Sequence, residues 1–253
     1  MQARSPGKRL GMSTMCRGKL KSRIVAVLGV AAVVVVCPLA VRADAGAGTT
    51  VGWWQLNELA AARVAIDSSG HGLDATVGSD VQTGVNFGNG VGYRFPYISS
   101  SAGTRPEHLL TVAENNLLDP DQAQFTVALR ERSTQTWANL VQKGQANMSG
   151  GYWKVDISSG ILTCLFRDSA GGQSTASSGT PINDGGWHTI KCVRTPTSVT
   201  MYIDGVWRDT RSNPTGTIDN RAPLTIAGKG TCGGTVQCDY WWGDMDWIKV
   251  MKG

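Results

Sequence analysis

Between residues 50 and 252 apolar and polar positions alternate over short runs, broken by clusters of Gly, Asn, Asp, Pro and Ser. Alternation at period two sends successive side chains to opposite faces of an extended chain, so each run predicts a half-buried β-strand. The predicted strands are Val51–Leu56, His108–Ala113, Phe125–Arg132, Ala138–Gly144 and Tyr152–Ser158. Further along come Ile161–Asp168, His188–Thr195, Val199–Gly205, Ala222–Gly228 and Met245–Met251. Beyond residue 43 no helix-length stretch carries apolar residues at the i, i+3, i+4, i+7 spacing. Ten or more strands in one domain predict two packed antiparallel sheets, because a single open sheet that wide curls or splits. With no repeat at a fixed period and no interdomain linker, residues 50–252 read as one all-β domain.

Residues 1–43 show another pattern. Arg4, Lys8, Arg9, Arg17, Lys19, Lys21 and Arg23 precede the apolar run Ile24–Ala40, and VRADA comes after it. A basic stretch, an apolar core and small residues predict a signal peptide cleaved after Ala43 or Ala45, with Met12 or Met15 as alternative starts. A retained anchor helix is the competing reading; the apolar run is short for a membrane span. A lipoprotein signal at Cys37 is disfavoured by Val36 before it and Pro38 after it. The segment also changes the charge balance. The whole chain is net +5, but residues 1–43 hold eight cations and no acid, leaving 16 cations against 19 acids, or −3, in the rest. The basic character therefore belongs to the leader, and the domain has no basic excess for nucleic-acid binding. The expectation is an exported protein with no stable membrane span after processing.

Four cysteines lie beyond the leader: Cys164, Cys192, Cys232 and Cys238. In an exported protein an even count predicts two disulfides, and four cysteines allow three pairings. If Ile161–Asp168 pairs with His188–Thr195, Cys164 and Cys192 sit opposite each other on one face, at a separation a disulfide can span. Cys232 and Cys238 then close a small local loop. The longer bridge would stabilise by roughly 3 kcal/mol on the loop-entropy account.

The segment Asp184–Gly205, DGGWHTIKCVRTPTSVTMYIDG, reads as a hairpin: two alternating runs joined by TPTS and closed by Asp-Gly turn chemistry. Its W-H-x-I followed by an apolar Y-x-D-G strand resembles the hairpin of laminin G-like domains, in the concanavalin A-like lectin/glucanase group. Gly52–Gly78, with GWWQLNE and IDSSGHGLDATVG, resembles the opening strand and D-x-S-G loop of that family. FTVAL resembles its F-T-hydrophobic strand, with Leu129 where Trp is common, and Gly243–Met251 resembles the closing strand. The resemblance covers residues 50–252 and implies a jelly-roll sandwich of two antiparallel sheets; the cysteine pattern looks like that of secreted bacterial single-domain members.

Enzymes occur on this fold, so chemistry has to be sought in the residues. Retaining glycoside hydrolysis needs two carboxylates about 5 Å apart. The E-x-D-x-x-E strand of the glucanases is missing, and the nearest acid pairs, Asp119/Asp121 and Asp244/Asp246, lack glutamates suited to acid–base work. No Q-I-H-like strand of the lyases and no G-x-S-x-G elbow is present. His71, His108 and His188 share no metal-ligand spacing, and GNGVGYRF (Gly88–Phe95) has no helix after it to cradle phosphate. His188 therefore reads as structural. The resemblance implies a Ca²⁺ site at Asp67 in the D-x-S-G loop and Asp246 in the closing strand, helped by carbonyls near Gly70 or Gly72. Alternation puts Asp246 on the same face as Ile248 and Val250, facing inward. The competing reading has the carboxylate accept backbone N–H bonds in its loop. Ligand platforms are sought among Trp153, Trp207, Tyr240, Trp241 and Trp242, whereas Trp54, Trp187 and Trp247 read as core. The expected function is a secreted, non-catalytic module for carbohydrate or cell-envelope glycan. A polysaccharide hydrolase or lyase, or a protein-binding adhesive domain, are the alternatives.

Overall fold

The computed structural model describes residues 48–99, 105–230 and 239–253. Sixteen strands run through them. The first five are β1 (Thr49–Trp54), β2 (Val64–Ala65), β3 (Ala75–Val77), β4 (Gln82–Asn86) and β5 (Val91–Phe95). The next six are β6 (Leu110–Val112), β7 (Phe125–Arg132), β8 (Trp137–Lys143), β9 (Tyr152–Ser158), β10 (Ile161–Arg167) and β11 (Gln173–Ser177). The last five are β12 (His188–Thr195), β13 (Ser198–Ile203), β14 (Val206–Arg211), β15 (Leu224–Ile226) and β16 (Gly243–Lys252). Two single-turn 3₁₀ helices, Pro106–His108 and Asn116–Leu118, are the helical elements among the described residues. None is long and apolar enough to cross a membrane.

Two eight-stranded antiparallel sheets form a sandwich. The front sheet runs β14-β13-β12-β7-β16-β5-β4, with β1 also on β16; the back sheet runs β11-β10-β9-β8-β15-β6-β3-β2. The jelly-roll expectation holds. Alternation selects the core: Val127, Leu129, Ile190, Met201, Ile248 and Val250 of the front sheet face Leu140, Val155, Leu162 and Ile226 of the back sheet, all essentially without exposure. Phe125 of the front sheet lies 5.3 Å from Trp153 of the back sheet, which stacks 6.3 Å from Phe166. Burying such rings contributes most of the cohesion between the layers.

The disulfide Cys164–Cys192 is formed, with a Cα separation of 5.8 Å. The pairing that led to it is not. β10 pairs with β9 and β11, whereas β12 pairs with β7 and β13, so the cysteines belong to opposite sheets. Packed sheets stand about 10 Å apart, so the bridge marks an edge where the layers close on each other. Hydrogen bonds from Ser177 N to Asp209 (3.1 Å) and from Ser174 Oγ to the Arg211 carbonyl (3.3 Å) tie β11 to β14 at that edge. Cys232 and Cys238 lie outside the described residues, as does the predicted signal peptide.

Candidate functional site

β16 is the strand that builds the site, because it changes partner along its length. Gly243–Met245 pairs with β5, and Ile248–Lys252 pairs with β1 on the same side. Between the two, the register with β7 slips by one residue between Met245 and Trp247. Such a bulge leaves one residue unpaired and re-aims its neighbours. Met245 and Ile248 both keep their side chains in the core, so Asp246 and Trp247 both turn to the outer face. Asp246 thus does not point inward as strict alternation demanded. Gly92 of β5 lets the strands meet at the bulge: a Cβ there would lie 2.4 Å from the Met245 carbonyl oxygen and 2.8 Å from the Phe87 ring.

The break in pairing leaves a cleft of about 500 Å³ on the outer face of the front sheet. It is lined by Trp53, Gln55, Asn57, Asp246, Trp247 and Lys249, with Val91 and Ala128 completing the wall. Lys249 Nζ stands 4.0 Å from the Trp53 ring centre, holding one indole by a cation–π contact. Asp246 accepts from Arg130 Nη1 at 2.5 Å. The Arg130 guanidinium in turn lies 4.6 Å from the Trp187 ring centre. Arg132 packs against Trp187 and Phe87 at 5.0 and 5.1 Å, and those rings meet edge-on at 5.2 Å. Asp244 joins Arg94 and Arg132 through contacts of 2.7 and 2.8 Å. The floor beside the cleft is therefore a clamped layer of arginines and aromatic rings.

The predicted site residues are dispersed. Trp153 and Trp241 are not ligand platforms: both are fully buried. The Trp153 indole N–H donates to the Leu118 carbonyl (3.0 Å), and Trp241 meets Phe95 at 5.6 Å with its carbonyl 2.9 Å from His108 Nε2. Tyr240 braces a loop, its hydroxyl accepting from the Arg105 backbone N–H. Trp207 is 58 % exposed on β14. Four strand spacings of about 4.8 Å separate β14 from β16, which puts it ~19 Å from the cleft. Trp242 is partly exposed and meets Tyr97 edge-on at 5.7 Å. Trp187 and Trp247, read as core, instead lie partly exposed on the outer face; Trp54 is core, with no exposure. Trp53 is the site residue that the sequence reading misses. The adjacent pair Trp53-Trp54 carries the signal, since neighbours on a strand face opposite ways and only one can be core.

Asp67 and Asp246 do not fit a shared calcium ion. Asp67 Oδ1 accepts from the N–H groups of Trp53 and Ser69 (both 2.9 Å), and Oδ2 from Ser69 Oγ (2.7 Å) and Leu73 N (3.0 Å). Four donors occupy its lone pairs, and Asp246 is held by Arg130. Among the described residues no group of three or more His, Cys, Asp and Glu side chains is arranged to hold a metal. The Asp67 contacts do something else: they pin the loop at residues 67–73 to β1 and fix Trp53 at the cleft. Burial alone would push its carboxyl up, but the bonds from Ser69, Leu73 and Trp53 prevail and hold it below its ordinary value.

His188 takes a structural part through carboxylates, with Nδ1 2.8 Å from Asp204 and Nε2 3.2 Å from Asp184. Opposite it in register sits Glu131, on the core-facing side of β7. Glu131 is buried, and its Oε2 has no hydrogen-bond partner among the described residues. Burial first, then the charges of Asp184 and Asp204, push its carboxyl up to about 8.

Residues 132–237 match the profile of the laminin G domain family. Solved structures of similar fold include the binding domain of Paraclostridial Mosquitocidal Protein 1 (TM-score 0.54, 17 % identity, 78 % of this chain and 48 % of that one). Another is the binding domain of botulinum neurotoxin DC in complex with SialylT (TM-score 0.54, 14 % identity, 81 % and 46 %). A third is domain 4 of AbnA, a GH43 extracellular arabinanase from Geobacillus stearothermophilus, in complex with arabinotriose (TM-score 0.54, 12 % identity, 82 % and 94 %). The chain spans about half the length of the first two of these binding domains. No curated protein sequence matches it. The fold is a laminin G-like sandwich of the concanavalin A-like type, and the first two of the similar structures named here are binding domains.

Proposed function

We propose that the protein is a secreted, non-catalytic binding module for glycan, with its site in the cleft at the β16 bulge. The observation that carries this is the pair Trp53 and Trp247, set on one face with Gln55, Asn57, Asp246 and Lys249 around about 500 Å³. Indole faces take the C–H side of a sugar ring, and amide, carboxylate and ammonium groups then meet its hydroxyls. The structural likeness to an arabinotriose complex and a SialylT complex supports the class of ligand. Two facts favour binding over turnover. The carboxylates of this face, Asp244 and Asp246, serve as guanidinium partners, and the buried Glu131 sits on the other side of its strand.

Isothermal titration of the purified protein against neutral oligosaccharides (arabino-, cello- and xylo-) tests the reading. Binding is expected and is lost in the double variant Trp53→Ala/Trp247→Ala. Release of reducing ends from any of these sugars would replace the reading with that of a hydrolase.

A further inference from the structure

A second cleft lies along the same face. Arg94, Pro96, Tyr97, Arg132, Trp242 and Asp244 line about 300 Å³ beyond the end of β5. It is joined to the first by two strands. Val91 and Arg94 of β5 line the first and second clefts respectively, as do Asp246 and Asp244 of β16. From Trp242 to Trp247 is five residues along the chain, about 17 Å at a strand rise of ~3.3 Å per residue. The two clefts thus form successive stations of one groove.

They differ in charge. In the first, Asp246 is matched by Arg130. In the second, one carboxylate, Asp244, serves two guanidinium groups, Arg94 and Arg132. Asp184, in the neighbouring loop, is engaged by His188 at 3.2 Å and by the Gly186 N–H at 2.7 Å. Among the side chains that line the second cleft, two guanidinium groups thus face one carboxylate, an excess of one positive charge; Asp184 lies outside that lining. Its donors are also aimed. Arg94 uses Nε (2.7 Å) and Nη2 (3.1 Å) on the two oxygens of Asp244. That leaves the Nη1–Nη2 edge of the guanidinium, which presents two parallel N–H groups, and the side chain is 44 % exposed. A planar carboxylate matches such an edge with two hydrogen bonds. Beside it Tyr97 is 70 % exposed and braced edge-on by Trp242, offering a ring surface for a sugar.

We infer that the groove binds an acidic oligosaccharide, with a carboxylated sugar unit in the second cleft, its carboxylate on Arg94 and its ring on Tyr97. This rests on the glycan-binding reading and specifies the substrate class. The test compares an oligogalacturonate, a sulfated oligosaccharide and a neutral oligosaccharide of equal length by titration calorimetry, on wild type, Arg94→Gln and Tyr97→Ala. Melting curves check that each variant is folded; Arg132 still holds Asp244 when Arg94 is replaced. The oligogalacturonate is expected to bind about tenfold or more tightly than the neutral sugar, the worth of a bidentate charged pair. Arg94→Gln should bring the oligogalacturonate down to the affinity of the neutral sugar, whereas Tyr97→Ala, which removes the ring surface, should weaken both sugars by a similar factor. Neutral binding with no preference for the acid, or a preference indifferent to Arg94, overturns the inference and leaves the glycan reading standing. Equal affinity for the sulfated sugar, also lost in Arg94→Gln, overturns the assignment of carboxylate. Failure of all three sugars to bind overturns the glycan reading itself, and the inference with it.

Discussion

Glu131 shows how one residue can set a pH dependence far from any ligand. In the unfolded chain its carboxyl titrates near 4.5; in the folded protein burial and the charges of Asp184 and Asp204 push it up to about 8. The folded state therefore holds the proton more tightly. Stability from this group is fully present below pH 4.5 and is lost as pH rises toward and through about 8, by an amount on the order of a few kcal/mol. His188 acts in the same direction: burial lowers its value, but the bonds to Asp204 and Asp184 outweigh burial and raise it. Asp67 acts oppositely. Its depressed value contributes stability at neutral pH that is lost on acidification. Glu131→Gln should melt above wild type at pH 8, the gap closing toward pH 4.5. Parallel melting-temperature profiles for the two proteins across that range would refute the assignment. Asp67→Asn should cost about 2 kcal/mol, since hydrogen bonds to a charged acceptor are weakened, and should loosen Trp53. The melting temperature of the wild type should not move on adding Ca²⁺ or chelator, because the Asp67 oxygens are already taken by four donors; a rise with Ca²⁺ would show that those donors yield to the ion.

At the level of elements, the sequence is most legible where alternation is strict and both ends carry turn chemistry. Tyr152–Ser158 appears as β9 with the expected bounds, and Phe125–Arg132 as β7. The short or polar strands β2, β4, β11 and β14 give no such signal: Val64–Ala65 is only two residues long, and Gln173–Ser177 and Gln82–Asn86 carry few apolar residues. Alternation also names faces but not partners. It gives Cys164 and Cys192 their faces, both of which prove buried, yet only the sheet order shows that their strands lie in opposite layers and not side by side in one sheet. The bulge at Asp246 is the clearest case, since one extra residue inverts the facing of the N-terminal part of β16 relative to its C-terminal part. Trp247 needs no bulge to face out: alternation from the buried Ile248 already puts it on the outer face, against its reading as core. An inter-sheet bridge predicts its own consequence. Cys164→Ser/Cys192→Ser should lose about 3 kcal/mol through the freer unfolded chain, seen as a lower denaturation midpoint. An unchanged midpoint would mean that the packing of β11 against β14 holds that edge alone.

Across the whole molecule, fold and site rest on different residues, which makes them separable by experiment. The aromatic core that joins the sheets is Trp54, Phe125, Trp153, Phe166 and Trp241, whereas Trp53 and Trp247 stand on the outer face. Both clefts are fixed before any ligand arrives, the first by Arg130 on Asp246 and the second by Arg94 and Arg132 on Asp244. A preformed site spends little of its binding energy on ordering side chains, so binding should appear directly as added stability. At a ligand concentration a hundred times Kd the folded state gains about 2.7 kcal/mol. For a domain of this size, about 1 kcal/mol shifts the melting temperature by roughly 2–4 °C. Wild type with saturating glycan should therefore melt about 5–10 °C higher than without. Trp53→Ala/Trp247→Ala should melt within a few degrees of wild type when free, and should gain nothing from the sugar. Leu129→Ala, in the core below, should do the reverse: lose about 2–5 kcal/mol from its cavity, yet still gain stability when glycan is added. If the Trp53/Trp247 variant kept its glycan-dependent shift, the cleft at the β16 bulge would not be the site, and the exposed Trp207 on β14 would be the next surface to examine.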